Sequence, residues 1–350
     1  MARKMDEIRT RIELKSHNVE NASTTDYPGN YVGYDDSWSL EKFKKKFRVN
    51  IIHLTDNEME FDMVGIDASL ANAFRRILLA EVPTMAIEKV YMFNNTSVIQ
   101  DEVLAHRLGL IPIYADPEKF EFPSNNSRAT DGGEKDMIAF TLNVKCSKNS
   151  RASKTATDPT DLYLHSNVTS ADLKWCPIGR QAEMFSPNEI RPVHDDILIA
   201  KLRPGQEINM KVHCFKGIAQ DHAKFSPVCT ASYRLLPEIV LTSIVEGDKA
   251  ERLSKCFSSG VIEIEEVNGV KRAKVVNPRL DTCSREVLRH DDLKDCVRLH
   301  RVRDHFIFLV ESTGAMPPEV IVSRAIRLLE KKCSNFLFEM DKPTTDEDEQ

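Results

Sequence analysis

The segment PPEVIVSRAIRLLEKKCSNFLF (317–338) sets the strongest limit on how this chain can fold. Its spacing predicts one long helix opening at Pro317 and Pro318, where a missing N–H costs little. Stepped at 100° per residue, Ile321, Val322, Ala325, Ile326, Leu328, Leu329, Cys333, Phe336 and Leu337 cover about half of the circumference. A helix resting on one sheet needs a stripe only about 100° wide. A stripe this broad calls for two neighbours, either inside one large core or with the second supplied by another chain. Much of the 350-residue chain reads as something other than that core, which favours a second chain.

A second segment, ANAFRRILLAEVPTMAIEKV (71–90), repeats the pattern with a difference. Its first half reads as a helix with Leu70, Ala71, Ala73, Phe74, Ile77, Leu78 and Ala80 on one continuous half. Asn72, Arg75, Arg76 and Leu79 fill the other half, so the paired arginines lie opposite the apolar face. Two readings stay open. One is a solvated polar face with a single exposed leucine, which is ordinary. The other is a second covered face, on which Arg75, Arg76 and Leu79 dock onto a protein. Arginine suits that use, because its planar fork makes several directed bonds and its stem covers apolar area.

Hydrophobic residues make up 41% of the chain, enough for a real core. The formal net charge of −6 lacks the basic excess of a dedicated nucleic-acid binder. MARKMDEIRTRIELK (1–15) is charged throughout and does not read as a secretory signal. No stretch approaches the apolar length of a membrane helix, so a soluble intracellular protein is expected. The eight cysteines form no C-x-x-C pair and read as small hydrophobes of a reducing compartment.

Along the chain, residues 1–44 read as an extension with Tyr27, Tyr31, Tyr34 and Trp38 as anchors, ordered only against another surface. KFRVNIIHLT and EMEFDMVGI read as strands around an Asp56–Asn57 turn. MAIEKVYMF reads as a strand, and DEVLAHRLG as a short helix closed by Gly109, with Pro112 supporting the stop. From 113 to 223, polar breaker-rich loops separate the short strands MIAFTLNVKC, ILIAKL and QEINMKVHCF. An inserted β-rich module is expected there. After 224 the texture is α+β again, with strands at GVIEIEEV, KRAKVV and HFIFLVES. Residues 341–350 form an acidic tail expected to be disordered.

Chemistry is sparse. His194, Asp195 and Asp196 with His213 or His222 could be drawn as a metal site, and with it a stand-alone metal hydrolase. Metal ligands must converge in space, and the sequence shows no convergence. No serine or cysteine stands beside a base in a strand–turn–helix setting, and DGGEK lacks the spacing of a phosphate loop. No catalytic residue, metal or cofactor is expected. Lys42, Lys44, Lys45, Lys46 and Arg48 form one basic run, read as a solvated approach to a strand, a nucleic-acid grip or an import signal. Arg298, His300, Arg301 and Arg303 form another, read as a protein contact.

Asn72-Ala73-Phe74-Arg75-Arg76 opens a run that closes at Asp101-Glu102-x-Leu104-Ala105-x-Arg107-Leu108-Gly109-Leu110-Ile111-Pro112, with Ala86, Val90, Asn95 and Ser97 between. This resembles the signature of the alpha-like subunits of cellular RNA polymerases. KGIAQDHAKFSPVCTASYRLLP (216–237) and VRDHFIFLVESTGAMPPEVIVSRAI (302–326) resemble two further blocks of that family, so the likeness runs from about 45 to 340. Residues 89–107 hold no cysteine, unlike the zinc-binding member of nuclear polymerase II. STTDYPGNY (23–31) and RPVHDDILIAKLRPGQEI (191–208) resemble instead the branch shared by polymerases I and III.

The resemblance implies an α+β fold: a discontinuous dimerisation domain (45–112 and 224–340) with an antiparallel sheet and two long helices, and an inserted domain (113–223). It implies a non-catalytic assembly subunit in the nucleus, nucleolus and nucleoplasm, for transcription of ribosomal RNA precursors and small RNAs such as 5S rRNA and tRNA. A subunit of another nuclear polymerase is the alternative. Leu70, Phe74, Ile77, Ile321, Ala325, Leu328, Leu329 and Phe336 would then meet a smaller alpha-like subunit. Arg75, Arg76 and Leu79 would meet the second-largest subunits of polymerases I and III, with Arg76 the more critical arginine. DNA would be reached only through the complex, and no membrane is involved.

Overall fold

A computed structural model of the chain describes residues 2–22, 35, 37–124, 133–153, 157–186 and 188–341. Tyr27, Tyr31 and Tyr34, and the acidic tail beyond Asp341, lie outside the described residues. In chain order the first half provides helix α1 (Ala2–Thr10), strands β1 (Arg11–Leu14) and β2 (Val19–Glu20), α2 (Leu40–Lys46), β3 (Arg48–Leu54), β4 (Glu58–Val64), α3 (Ala68–Ala80), β5 (Thr84–Asn95) and α4 (Asp101–Gly109). The main elements that follow are β6 (Met137–Lys145), β7 (Lys174–Cys176), β8 (Glu207–Gly217), β9 (Val228–Leu241), α5 (Asp248–Lys255), β10 (Ile262–Val267), β11 (Val270–Val275), β12 (Val297–Ser312) and α6 (Pro318–Met340).

The fold is α+β, and the chain divides into two compact units. One comprises Met1–His53, Glu60–Asn72 and Ser232–Leu309; the other comprises Leu54–Met59, Ala73–Ala231 and Val310–Gln350. The change of texture at 113 does not coincide with either boundary. The reason is strand pairing: β5, which precedes 113, runs antiparallel to β8 from Thr84↔Gly217 to Asn95↔Ile208. Composition marks where loops are polar, but backbone hydrogen bonds decide which strands share a sheet.

The first unit is built on a six-stranded sheet ordered β2-β1-β12-β4-β3, with β9 also paired to β12. Met59, Phe61 and Met63 alternate along β4 and are buried, as a strand with one face on a core requires. Phe61 stacks on Phe308 with ring centroids 5.2 Å apart. A satellite core of Val245, Leu253, Val261, Val287, Leu293 and Leu299 lies in the same unit. Within the N-terminal extension, residues 11–14 and 19–20 are ordered by this chain's own sheet. β1 pairs antiparallel with β12 from Arg11↔Val302 to Leu14↔Leu299. Arg11 then clamps Glu238 through Nε at 2.7 Å and Nη2 at 3.0 Å. The anchor is therefore a guanidinium fork, while Trp38 stands 77% exposed.

Asp62 is buried on β4, and its charge is held by a built network. Arg279 donates from Nη2 to both Asp62 oxygens, at 2.6 and 2.5 Å, and from Nη1 to Glu60 at 2.6 Å. His305 Nε2 stands 3.0 Å from the same carboxylate.

The second unit carries a four-stranded sheet ordered β7-β6-β8-β5. Ile138, Phe140 and Leu142 of β6, Met210 and Val212 of β8, and Leu104 and Leu108 of α4 form its core. At the end of β8 a Cβ on Gly217 would lie 2.6 Å from the Phe225 ring, so only glycine lets the chain pass there.

Removing the Arg279 fork leaves a buried carboxylate short of its partner, which costs about 3 kcal/mol. Arg279→Met is expected to lower the unfolding free energy measured in urea by that amount, shifting the midpoint down, without altering the far-ultraviolet dichroism. An unchanged midpoint would show that His305 alone satisfies Asp62.

Candidate partner interface

The unit boundary falls inside α3, after Asn72. The helix starts at Asp67, whose carboxylate accepts from the Ser69 amide at 2.8 Å and its hydroxyl at 2.6 Å. These Ser69 bonds hold the Asp67 carboxyl below the usual carboxylate range. An aspartate so placed satisfies one of the orphan donors of the first turn.

Along α3, Ala71, Phe74, Ile77 and Leu78 are buried, Arg75 and Leu79 are half-buried, and Arg76 is exposed. Leu70 is 45% exposed. The paired arginines thus lie away from the buried face, where the helical projection puts them. The Leu79 carbonyl accepts from Ser226 Oγ at 3.1 Å, which ties this turn to the loop ahead of β9.

α6 begins as the sequence predicts, with Pro317 outside it and Pro318 in the first position. Ile321, Val322 and Ala325 are buried, and Leu328 and Leu329 are half-buried. From Glu330 to Asp341 every residue is exposed. Ile326, Phe336, Leu337, Phe338 and Met340 are exposed by 50 to 67%. The last turns of α6 therefore carry Phe336, Leu337, Phe338 and Met340 exposed over about half of the circumference, with Lys331, Lys332, Asn335 and Glu339 on the remainder. An exposed apolar face of that breadth marks a surface that another chain can cover.

Ion pairs at two places position α6. Lys332 Nζ meets Glu81 Oε1 at 2.5 Å, one residue beyond the end of α3. Nearer its start, Arg324 holds Asp116 at 2.7 Å and Glu118 at 3.2 Å. Burial would raise the Asp116 carboxyl. The Arg324 bond, the Glu118 amide and the charges of Arg324 and Lys119 outweigh it, so the group sits below its usual range.

Phe74, Ile77, Ile321 and Ala325, expected to present surface to a partner, are consumed by the chain's own core, each at most 3% exposed. Half of the wide stripe is satisfied internally. Leu70 and Phe336 remain outside with Leu328 and Leu329 at the margin. Phe338 falls off the projected stripe, and Met340 lies on it but beyond the segment 317–338. The signal was present in FLFEM (336–340), which is too apolar to be one-sided.

The histidines and aspartates that could be drawn as a metal site do not converge: among the described residues no group of three or more His, Cys, Asp or Glu side chains could hold an ion. His194 is exposed, His213 is buried against Tyr91, and His222 Nδ1 accepts from the Lys224 amide at 3.0 Å. Of the basic group on β12, Arg298 stays exposed and the other three are engaged within the chain. Arg301 donates to the Leu235 carbonyl at 3.2 Å, Arg303 to that of Asn21, and His300 stands 3.5 Å from Glu238.

The chain belongs to the family of the RNA polymerase Rpb3/Rpb11 dimerisation domain, which matches residues 60–333. It is similar to the DNA-directed RNA polymerases I and III subunit RPAC1 of Bos taurus, 59% identical over 340 residues that cover 97% of this chain and 98% of the relative. The protein of the same name in Homo sapiens is 59% identical over 337 residues, covering 96% of this chain and 97% of its own. That of Saccharomyces cerevisiae is 50% identical over 325 residues, covering 92% and 96%. The family and the branch that the Asn72–Pro112 signature and its companion blocks resemble are both found.

The depressed Asp116 group gives a pH prediction. A carboxylate held below its usual value stabilises the fold above that value, near 3.8, and the contribution is lost as pH falls through the folded pKa. Arg324→Leu removes two of the causes that lower the Asp116 carboxyl. The Asp116 titration midpoint, followed by carboxyl NMR, is expected to rise, and acid unfolding to begin at higher pH than in the parent.

Proposed function

We propose that this chain is a non-catalytic assembly subunit shared by nuclear RNA polymerases I and III. It pairs with a smaller alpha-like subunit, and the pair is the platform for the second-largest subunits of both enzymes. The observation that carries this reading is α6. Three turns of a helix rich in Phe, Leu and Met stand exposed in a chain whose family is defined by dimerisation. Isolated helical turns of this length are marginal in water, and a broad exposed apolar face asks for a second chain against it.

The contact to the small partner is assigned to Leu70, Leu328, Leu329 and Phe336, extended by Ile326, Leu337 and Met340. Phe74, Ile77, Ile321 and Ala325 hold the two helices in place from within. Arg75, Arg76 and Leu79 face the second-largest subunit, and Arg76, the exposed one, carries more of that contact. The near full-length match to relatives named as subunits of polymerases I and III supports membership of both complexes. Nuclear, nucleolar and nucleoplasmic location follows from that membership, as does a role in making ribosomal RNA precursors, 5S rRNA and tRNA. DNA is approached only through the assembled enzyme.

Separating the two surfaces tests the assignment. Phe336→Asp with Leu337→Asp changes exposed positions, so the free chain should keep its thermal midpoint while recovery of the small partner falls at least tenfold. Arg75→Ala with Arg76→Ala should keep the small partner and lose the second-largest subunits. Undiminished recovery of all partners with either pair of substitutions would overturn the corresponding contact.

A further inference from the structure

β3 is the end strand of its sheet, with β4 as its one neighbour among the described residues. All seven of its residues are exposed. Val49 and Ile51 point to one side of the sheet and Ile52 to the other, at 46, 58 and 49% exposure. An edge of this kind presents a row of open N–H and C=O groups, and proteins ordinarily guard it with proline, lysine or a bulge. β3 holds no proline and no lysine, and its single charged residue other than histidine is Arg48 at the start.

The lysines sit just ahead, in α2. Lys42 pairs with Asp35 at 3.2 Å, whereas Lys44, Lys45, Lys46 and Arg48 form no ion pair among the described residues. Their placement is fixed. Phe43 stacks on Phe47 with centroids 5.1 Å apart. Gly65, at φ +83°, lets the Lys46 carbonyl approach to where a Cβ would lie 2.8 Å away. Cations in the last turn balance the helix end, and one suffices for that. Four unneutralised cations beside an open, apolar strand edge are more than a solvated helix needs.

We propose that the outer edge of β3 is a docking strip for an acidic, extended segment of another protein. The segment adds to the sheet as one more strand, its main chain bonding to β3 and its carboxylates meeting Lys44, Lys45, Lys46 and Arg48. Backbone pairing supplies affinity in this mode and side chains supply selectivity. A nucleic acid would use the cations but leave Val49, Ile51, Ile52 and the backbone row unmatched, so a peptide fits better. This surface is separate from α6 and does not depend on the assembly role.

The test uses the full chain and a fluorescein-labelled octapeptide of alternating glutamate and valine. Saturable binding is expected, weakening as salt rises. The amides of residues 48–53 should gain protection from hydrogen exchange. Lys44→Glu with Lys45→Glu and Lys46→Glu, all exposed positions, should weaken binding about tenfold or more. A peptide of equal charge with proline at alternate valines should not bind, because it cannot pair. Equal binding of the proline peptide, unprotected 48–53 amides, no binding at all, or tighter binding of a charge-matched DNA duplex would each overturn the proposal.

Discussion

Burial of Ile321, Val322 and Ala325 fixes the first turns of the C-terminal helix, and what the chain can offer a partner follows from where that burial stops. Beyond Leu329 no side chain of α6 is covered, while the helix continues to Met340. Lys332 on Glu81 keeps this free portion beside the end of α3. The apolar turns are therefore held in one direction before any partner arrives. Preorganisation of this kind lowers the ordering cost of association, which otherwise consumes much of the gain from buried area.

The division between the two halves of the stripe also explains the paired arginines. α3 has to bury Phe74, Ile77 and Leu78 internally, and its opposite side is left for something else. Arg75 and Arg76 occupy that side with stems long enough to cover Leu79 and forks long enough to reach past it. One helix can thus serve the core on one face and a neighbour on the other. The same economy is seen in α4, where Leu104 and Leu108 are buried while Arg107 reaches out to the carbonyls of Leu198 and Ile199.

Periodicity made most elements legible in the sequence. α4 runs over the residues of DEVLAHRLG, and β3 and β4 flank the Asp56–Asn57 turn. The width of the α6 stripe announced two neighbours, but a projection cannot say that the first neighbour takes Ile321 and Ala325 and leaves Phe336. That depends on tertiary depth, which has no one-dimensional signal. The sheet membership of β5 was hidden for a related reason: its partner β8 lies more than a hundred residues away, across loops whose composition suggested a boundary. The N-terminal strand was missed because Arg11–Leu14 is short and charged, and it is held by a bond to Glu238 that only the fold creates.

Arginine and lysine are used differently in this chain, and the difference separates scaffold from surface. Arg11, Arg279 and Arg324 each grip carboxylates inside their own unit, with side chains 28% exposed or less. A fork can make two directed bonds to one carboxylate, which repays part of its desolvation. Net charge counts these residues, yet they contribute little to the field a partner meets. Lysines 44 to 46 make no such bond among the described residues, and an ammonium left in water keeps its full field. The formal charge of −6 is therefore a poor guide to what each face attracts. A chain with an acidic total can still present a local basic edge, and where that edge borders an open strand, the geometry selects which polyanion fits.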